Sequence, residues 1–96
     1  MNNLTAIVKA TRASASALAA QQRLGREIEE LERQAARLRE TLREATTPSR
    51  FVDARVPLDG VLSAIAAKTK ARRAAHRRWT NAQAVLAANT LPGDAK

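Results

Sequence analysis

A heptad pattern in the first half of the chain restricts the fold more than any other feature of the sequence. Between residues 24 and 45, apolar side chains recur at alternating spacings of four and three, at Leu24, Ile28, Leu31, Ala35, Leu38, Leu42 and Ala45. This spacing places them on one stripe of an α-helix, the a and d seam through which coiled-coil helices pack. Most of the stability of such a helix comes from covering that seam. The sequence therefore predicts an all-α protein in which this helix packs against another helix.

Proline and glycine mark the ends of the helical segments. Pro48 and Pro57 bracket a connector, and Pro92 and Gly93 follow the last helical stretch. Proline is disfavoured inside a helix, because it lacks an N–H group and its ring clashes with the preceding turn. Thr47 before Pro48 is typical of an N-cap, which predicts a short helical turn inside the connector. We expect one helical domain with a first long helix over 3–45, a connector over 46–58, a second long helix over 59–89 and a flexible tail over 90–96.

Before Leu24 the heptad pattern is weaker. The same register would place Ser14, Ala17 and Gln21 on the seam. Two of these side chains are polar, and polar residues are uncommon in a buried seam. Four other apolar residues suggest a shifted register, namely Leu4, Val8, Ala15 and Leu18. The sequence therefore favours a shifted contact face in this part of the helix.

The second long helix has an apolar face made mostly of alanine. At 100° per residue this face holds Val61, Ala64, Ala67, Ala71, Ala75, Ala82, Val85 and Leu86, with Trp79 at its margin. Because alanine is small, the face can approach a partner helix closely but buries little area. We expect Trp79 to fill a gap beside the small residues of the first helix. Stacking of its ring on a nucleic-acid base is the alternative.

Reversal of the chain near residue 51 would make the two helices antiparallel and place large side chains against small ones. It would also bring the acidic run "EIEELE" opposite residues 70–75, so that part of the basic stretch is neutralised internally. A parallel homodimer of the first helix is less favourable, because Glu27 at g would face Glu32 at e of its twin. The predicted fold is a long antiparallel, coiled-coil-like hairpin, with pairing of two hairpins into a four-helix bundle left open. Its expected core is Leu24, Ile28, Leu31, Leu38, Leu42, Phe51, Leu62, Ile65, Trp79 and Leu86.

The connector contains four apolar residues, Phe51, Val52, Val56 and Leu58. In a hairpin these residues lie at the closed end, where their side chains can cover the last apolar layer between the helices. We expect them to plug this end of the hairpin. An exposed docking loop is the alternative.

The chain has a formal net charge of +8 and a pI near 11.5. Such a charge favours negatively charged partners, such as nucleic acid, an acidic protein surface or anionic lipid. The stretch from Lys68 to Arg78 holds six Lys or Arg residues and one His without an acidic residue. The acidic run can neutralise only the beginning of this stretch. Our candidate anion-binding or partner-binding site is Arg23, Arg26, Arg72, Arg73, His76, Arg77 and Arg78.

The sequence offers little for catalysis or for membrane insertion. It contains one His and no Cys, and glycine-rich phosphate loops, nucleophile elbows and HExxH motifs are absent. We therefore expect a protein that is not an enzyme and that has no catalytic residue, cofactor or metal site. No apolar run approaches the ~18 residues that a membrane span needs, and the N-terminus lacks the apolar core of a signal peptide. We expect no membrane span and a location in the cytoplasm, or in a particle assembled there.

These features favour a non-catalytic helical interaction protein that docks onto a larger protein assembly. Small size and basicity are typical of phage or mobile-element proteins, such as virion components and small inhibitors of host machines. The alternative is a nucleic-acid-associated protein that contacts phosphates without sequence preference through the basic patch of the second helix. A helix lying on a membrane surface is disfavoured, because the apolar faces lack bulky and aromatic residues.

Overall fold

Two helices and a short loop make up the described chain. The computed structural model describes residues 2–89, and the side chains of residues 3–89. Helix α1 spans Asn2–Glu44 and helix α2 spans Pro48–Ala88. The helices run antiparallel, because Ser14 of α1 contacts Gln83 of α2 while Glu27 contacts Lys68. The predicted all-α class and antiparallel helical hairpin are confirmed.

The predicted connector over 46–58 is wrong, because α2 begins at Pro48 and continues through Pro57. Only Ala45, Thr46 and Thr47 lie between the helices. The Thr47 hydroxyl accepts a hydrogen bond from the backbone N–H of Arg50 at 3.2 Å, so Thr47 caps α2 and Pro48 occupies the first helical position. The predicted tail over 90–96, with Pro92 and Gly93, lies outside the described residues.

The contacts divide the chain into two compact units, which we describe separately. The hairpin-end unit comprises Leu24–Ala71, and the terminal unit comprises Met1–Arg23 and Arg72–Lys96. Each unit contains a segment of both helices. Each has its own small core.

The core of the hairpin-end unit combines large apolar residues and alanines from both helices. The buried side chains are Leu24, Ile28, Ala35, Ala54 and Leu58. Four further residues of the expected core are half-buried, namely Leu31, Leu38, Leu42 and Ile65. Phe51 and Leu62 are not core residues, since 46% and 37% of their surfaces are exposed. Val52 and Val56 are exposed too, so only Leu58 of the four residues expected to plug the closed end is buried.

Ala54 and Leu58 explain why the helix does not restart at residue 59. Both are buried, and they lie on either side of Pro57 in the sequence. Packing of these two side chains against α1 requires helical geometry across the proline. Burial of an apolar side chain contributes up to about 3 kcal/mol, which is comparable to the ~3 kcal/mol that proline costs inside a helix. Tertiary contacts therefore extend α2 back to Pro48.

The core of the terminal unit consists of alanines from both helices. Ala10 and Ala17 of α1 and Ala75 and Ala82 of α2 are buried. Trp79 and Leu86, both members of the expected core, are half-buried in this unit. The unit is therefore held together by close approach of small residues, with two larger side chains beside them.

The contact face of α1 does not shift before Leu24, contrary to the sequence pattern. Ala10 and Ala17 are buried, and Ile7, Ser14 and Gln21 are half-buried, so the register of the heptad seam continues back to Ile7. The residues of the proposed shifted register are exposed instead, and they are Leu4, Val8, Ala15 and Leu18.

The covered residues of α2 also recur with a heptad spacing. They do not coincide with the alanine face that a projection at 100° per residue predicts. Ala67, Ala71 and Val85 of that face are exposed. The covered positions alternate spacings of four and three, at Ala54, Leu58, Val61, Ile65 and Lys68 in one unit and at Ala75, Trp79, Ala82 and Leu86 in the other. A 3.6-residue projection drifts by about 20° per heptad from this 3.5-residue repeat. Over a helix of this length the drift assigns residues to the wrong face.

The pairing register differs from a reversal at residue 51, because the loop between the helices lies at residues 45–47. Glu27 pairs with Lys68, where a reversal at 51 would have placed it opposite a residue several positions further along α2. Ser14 pairs with Gln83, which also precedes the residue that a reversal at 51 would have placed opposite it. The expected reversal near residue 51 is therefore wrong.

Replacement of Gly60 by Ala is expected to stabilise the protein by about 1 kcal/mol, because glycine inside a helix costs that much relative to alanine. Gly60 is exposed in α2, and a Cβ atom added there meets no atom within 4 Å. Chemical denaturation of the Gly60→Ala variant measures the change. A decrease in the free energy of unfolding would contradict a regular helix at this position.

Candidate interaction surfaces

Charge is distributed very unequally between the two units. The hairpin-end unit contains nine Lys or Arg residues and eight Asp or Glu residues. Residues 3–23 and 72–89, the described part of the terminal unit, contain seven Lys or Arg residues and no Asp or Glu. Nearly all of the net charge of +8 therefore belongs to the terminal unit.

The acidic run is paired mainly inside the hairpin-end unit. Glu30 accepts a hydrogen bond from Arg33 at 2.7 Å and lies 3.8 Å from Arg37 of the same helix. The hydrogen bond from Arg33 and its positive charge hold the pKa of Glu30 below its usual value. Glu27 reaches across to α2, where its Oε2 lies 2.9 Å from Lys68 Nζ. The carboxylates of the acidic run therefore pair with residues that precede residue 70. The prediction that they neutralise residues 70–75 is wrong.

A groove in the terminal unit brings together four members of the candidate anion-binding site. It has a volume of about 440 Å³ and is lined by Gln21 of α1 and by Arg72, Arg73, His76 and Arg77 of α2. We call it the arginine groove. All four residues of α2 are exposed, and α-helical spacing puts them on neighbouring turns of one side.

The other candidate arginines lie elsewhere. Arg78 lines a different opening, about 420 Å³ in volume, between alanines of α1 and α2. Arg23 belongs to the terminal unit but does not line the arginine groove. Arg26 belongs to the hairpin-end unit. The predicted seven-residue patch is thus reduced to a compact set of four.

Gln21 and His76 hold the two walls of the arginine groove together. His76 Nδ1 lies 3.2 Å from Gln21 Oε1. Because a carbonyl oxygen can only accept, Nδ1 carries the hydrogen of this bond. The imidazole also stacks on the indole of Trp79, with ring centroids 5.9 Å apart and planes inclined by 24°. The position of His76 is therefore set from both sides.

The groove exists because polar residues occupy seam positions of both helices. The heptad of α1 places Gln21 on its seam, and the heptad of α2 places Arg72 on its seam. Neither side chain fills the space between the helices as Leu or Ile does. Sequence reasoning missed Gln21, although its seam position was the signal that could have identified it.

A second polar pair covers the seam nearer the termini. Gln83 Nε2 donates a hydrogen bond of 2.7 Å to Ser14 Oγ, and both residues are half-buried. This pair satisfies two groups that would otherwise be costly to bury. It accounts for the weak apolar pattern of α1 before Leu24 without any change of contact face.

An exposed apolar stripe lies on α1 in the terminal unit. Leu4, Val8, Ala15 and Leu18 occupy positions spaced by four, seven and three residues, with Thr11 completing an unbroken heptad. Leu4 is 68% exposed. Leu4 and Val8 border an open groove of about 400 Å³ together with Lys9 and Arg12. We call Leu4, Val8, Thr11, Ala15 and Leu18 the outer stripe.

The hairpin-end unit has its own exposed apolar residues at the start of α2. Phe51, Val52 and Val56 are all exposed, and they lie within two turns of the helix. Arg55 and Asp59 pair with each other at 3.1 Å along the same stretch. These residues form part of a regular helix, so the alternative of an exposed docking loop is not what the structure contains.

The described residues contain no group of three or more His, Asp or Glu side chains arranged to hold a metal ion. Neither helix, as far as it is described, has a stretch that is apolar enough over sufficient length to cross a membrane. Comparison with known proteins gives no relative, since no family model, no curated protein and no solved structure matches the chain.

Proposed function

We propose that the protein is a non-catalytic helical docking protein that attaches to a larger cytoplasmic protein assembly through the outer stripe of its terminal unit. The observation that carries this proposal is the heptad spacing of exposed apolar residues on α1. A helix that already packs on α2 through one seam has a second seam that residues 3–89 leave exposed.

The outer stripe has the composition of a helix-binding surface. Leu4, Val8 and Leu18 are the large side chains, while Thr11 and Ala15 between them are small enough for close approach of another helix. Covering a large apolar side chain contributes about 1.5–3 kcal/mol. Three such side chains supply part of the binding energy, and contacts of the neighbouring charged residues must supply the rest, because association itself costs at least about 4 kcal/mol.

The charges beside the stripe indicate the character of the partner. Lys9 and Arg12 border the groove next to Leu4 and Val8, and the described part of the terminal unit has no carboxylate. A partner helix with an apolar seam and acidic flanks would match both features. The like charges disfavour a second copy of this chain lying in parallel on the same stripe, because Arg12 would face Arg12.

A double substitution tests the docking surface. Leu4→Glu together with Leu18→Glu is expected to weaken capture of the assembly by at least about 100-fold, because two side chains worth about 1.5 kcal/mol or more each are lost. The fold should persist, since both residues are exposed. The measurement is affinity capture from a nuclease-treated lysate, with the recovered subunits identified and quantified by mass spectrometry.

Val52→Glu together with Val56→Glu is the matched control. It makes the same chemical change at two exposed apolar residues of α2 in the hairpin-end unit. The control should capture the same subunits as the unchanged protein. Equal loss in both double variants, or capture that disappears on nuclease treatment, would contradict docking through the outer stripe.

A further inference from the structure

The polar groups of the arginine groove are mainly ones that donate hydrogen bonds or carry positive charge. Arg72, Arg73 and Arg77 each provide a guanidinium group, which matches the oxygens of a phosphate in bidentate geometry. Gln21 Oε1 is engaged by His76, so the free polar group of this amide is its NH₂. The groove therefore offers donors from both helices to a single ligand.

Nothing in the described part of the terminal unit competes for these donors. Residues 3–23 and 72–89 contain no Asp or Glu, and Arg72, Arg73 and Arg77 take part in none of the ion pairs found among residues 3–89. The arginines of the other unit differ in this respect, as Arg33 and Arg37 contact Glu30. Three guanidinium groups that line one groove without a carboxylate repel one another, and a bound anion relieves that repulsion.

We propose that the arginine groove binds phosphate groups, and that the ligand is the phosphodiester backbone of a nucleic acid. The shape of the charge distribution favours a polymer over a small phosphate compound. Lys9, Arg12 and Arg78 extend the positive charge of the same unit beyond the groove, so that a chain of phosphates gains contacts a single phosphate cannot make. Phosphate contacts carry no sequence information, so we expect the binding to be insensitive to base sequence.

Trp79 provides a signal for binding in the groove. It is the only Trp of the protein, and its indole stacks on His76, which lines the groove. A ligand that contacts His76 changes the surroundings of the indole. Titration of short single-stranded and duplex DNA is expected to change the Trp79 fluorescence, with an affinity that falls steeply as the salt concentration rises.

Gln21→Glu is the decisive variant, with Gln22→Glu as its control. Both add one negative charge to the same turn of α1, but only Gln21 lines the groove. The Gln21→Glu variant is expected to bind DNA at least about tenfold more weakly than the Gln22→Glu variant, because its new carboxylate occupies the groove and pairs with the arginines. Its thermal stability should be equal or higher, which separates loss of the site from loss of the fold.

A second pair of variants measures the number of phosphate contacts. Arg77→Gln is expected to reduce the slope of log affinity against log salt concentration by about 1. Arg37→Gln, which removes an equal charge from the hairpin-end unit, should leave the slope unchanged. Tripolyphosphate and polyglutamate serve as competitors of different chemistry.

Equal DNA affinities for the Gln21→Glu and Gln22→Glu variants would overturn the site. Competition by polyglutamate as effective as that by DNA would overturn phosphate recognition, and equal affinity for tripolyphosphate would overturn the assignment to a nucleic acid. The outer stripe is unchanged in all of these variants. Their capture of the protein assembly therefore remains a separate measurement, and either proposal can fail without the other.

Discussion

Replacement of Pro57 by Ala is expected to raise the free energy of unfolding by up to about 3 kcal/mol, the cost of proline inside a helix relative to alanine. Pro57 is exposed and lies ten residues into α2. It has no N–H group to donate to the carbonyl of Asp53, and its ring crowds that carbonyl. Alanine restores the hydrogen bond without removing any buried side chain.

The increase is large enough to measure by heating. For a chain of this length, 1 kcal/mol corresponds to a shift in Tm of about 4–8 °C, so an increase of up to about 3 kcal/mol should raise the Tm of the Pro57→Ala variant by up to about 12–24 °C. Pro48→Ala is the control, because proline at the first helical position loses no hydrogen bond and should be stabilising or neutral there. No increase for Pro57→Ala would mean that the chain interrupts its helix before Leu58, as the proline pattern predicted.

Replacement of Ala75 by Leu is expected to destabilise the protein by about 1–3 kcal/mol, although it adds apolar surface. Ala75 is 0% exposed and lies on the seam of α2 in the terminal unit. The other buried residues of that unit, Ala10, Ala17 and Ala82, are equally small. The larger side chain must push the two helices apart or adopt a strained rotamer, and the contacts on either side of it weaken.

Ala84→Leu is the matched control, because Ala84 is exposed on the same helix of the same unit. It should leave the free energy of unfolding within about 0.5 kcal/mol of the unchanged protein. Urea denaturation followed by circular dichroism measures both variants. Greater stability of the Ala75→Leu variant would show that the alanine seam is underpacked, and it would remove close helix approach as the basis of the terminal unit.

Particular residues show which buried positions the sequence patterns predict in this protein and which they do not. Leu24 and Ile28 lie on a regular heptad, and both are buried. Leu62 is apolar but exposed, because its place on α2 does not coincide with the 3.5-residue seam. Phe51 continues that seam three residues before Ala54, and it is exposed because it lies beside the loop, where α1 has ended. Hydrophobicity alone cannot distinguish these cases, since the face of a residue depends on where the helix begins and on the period of its contact with a partner.

The sequence indicates only some of the residues that line the arginine groove, because the others depend on how the two helices pair. Arg72, Arg73, His76 and Arg77 are neighbours in the sequence, and their charge identifies them at once. Gln21 lies more than fifty residues away and has no charge, so only the pairing of α1 with α2 brings it to the groove. Arg23 and Arg26 are near the acidic run in the sequence, but Arg23 does not line the groove and Arg26 belongs to the hairpin-end unit.

The amino-acid sequence by itself determined that the chain is helical, that it reverses once, and that its positive charge is concentrated toward its two ends. These properties follow from local spacing and composition, which act on neighbouring residues of one helix. The tertiary structure decided the register of the two helices, the passage of α2 through Pro57 and the exposure of the outer stripe. Each of these features depends on contacts between side chains that are distant in the sequence. The ends and contact faces of α1 and α2 are determined by which side chains the two helices bury together.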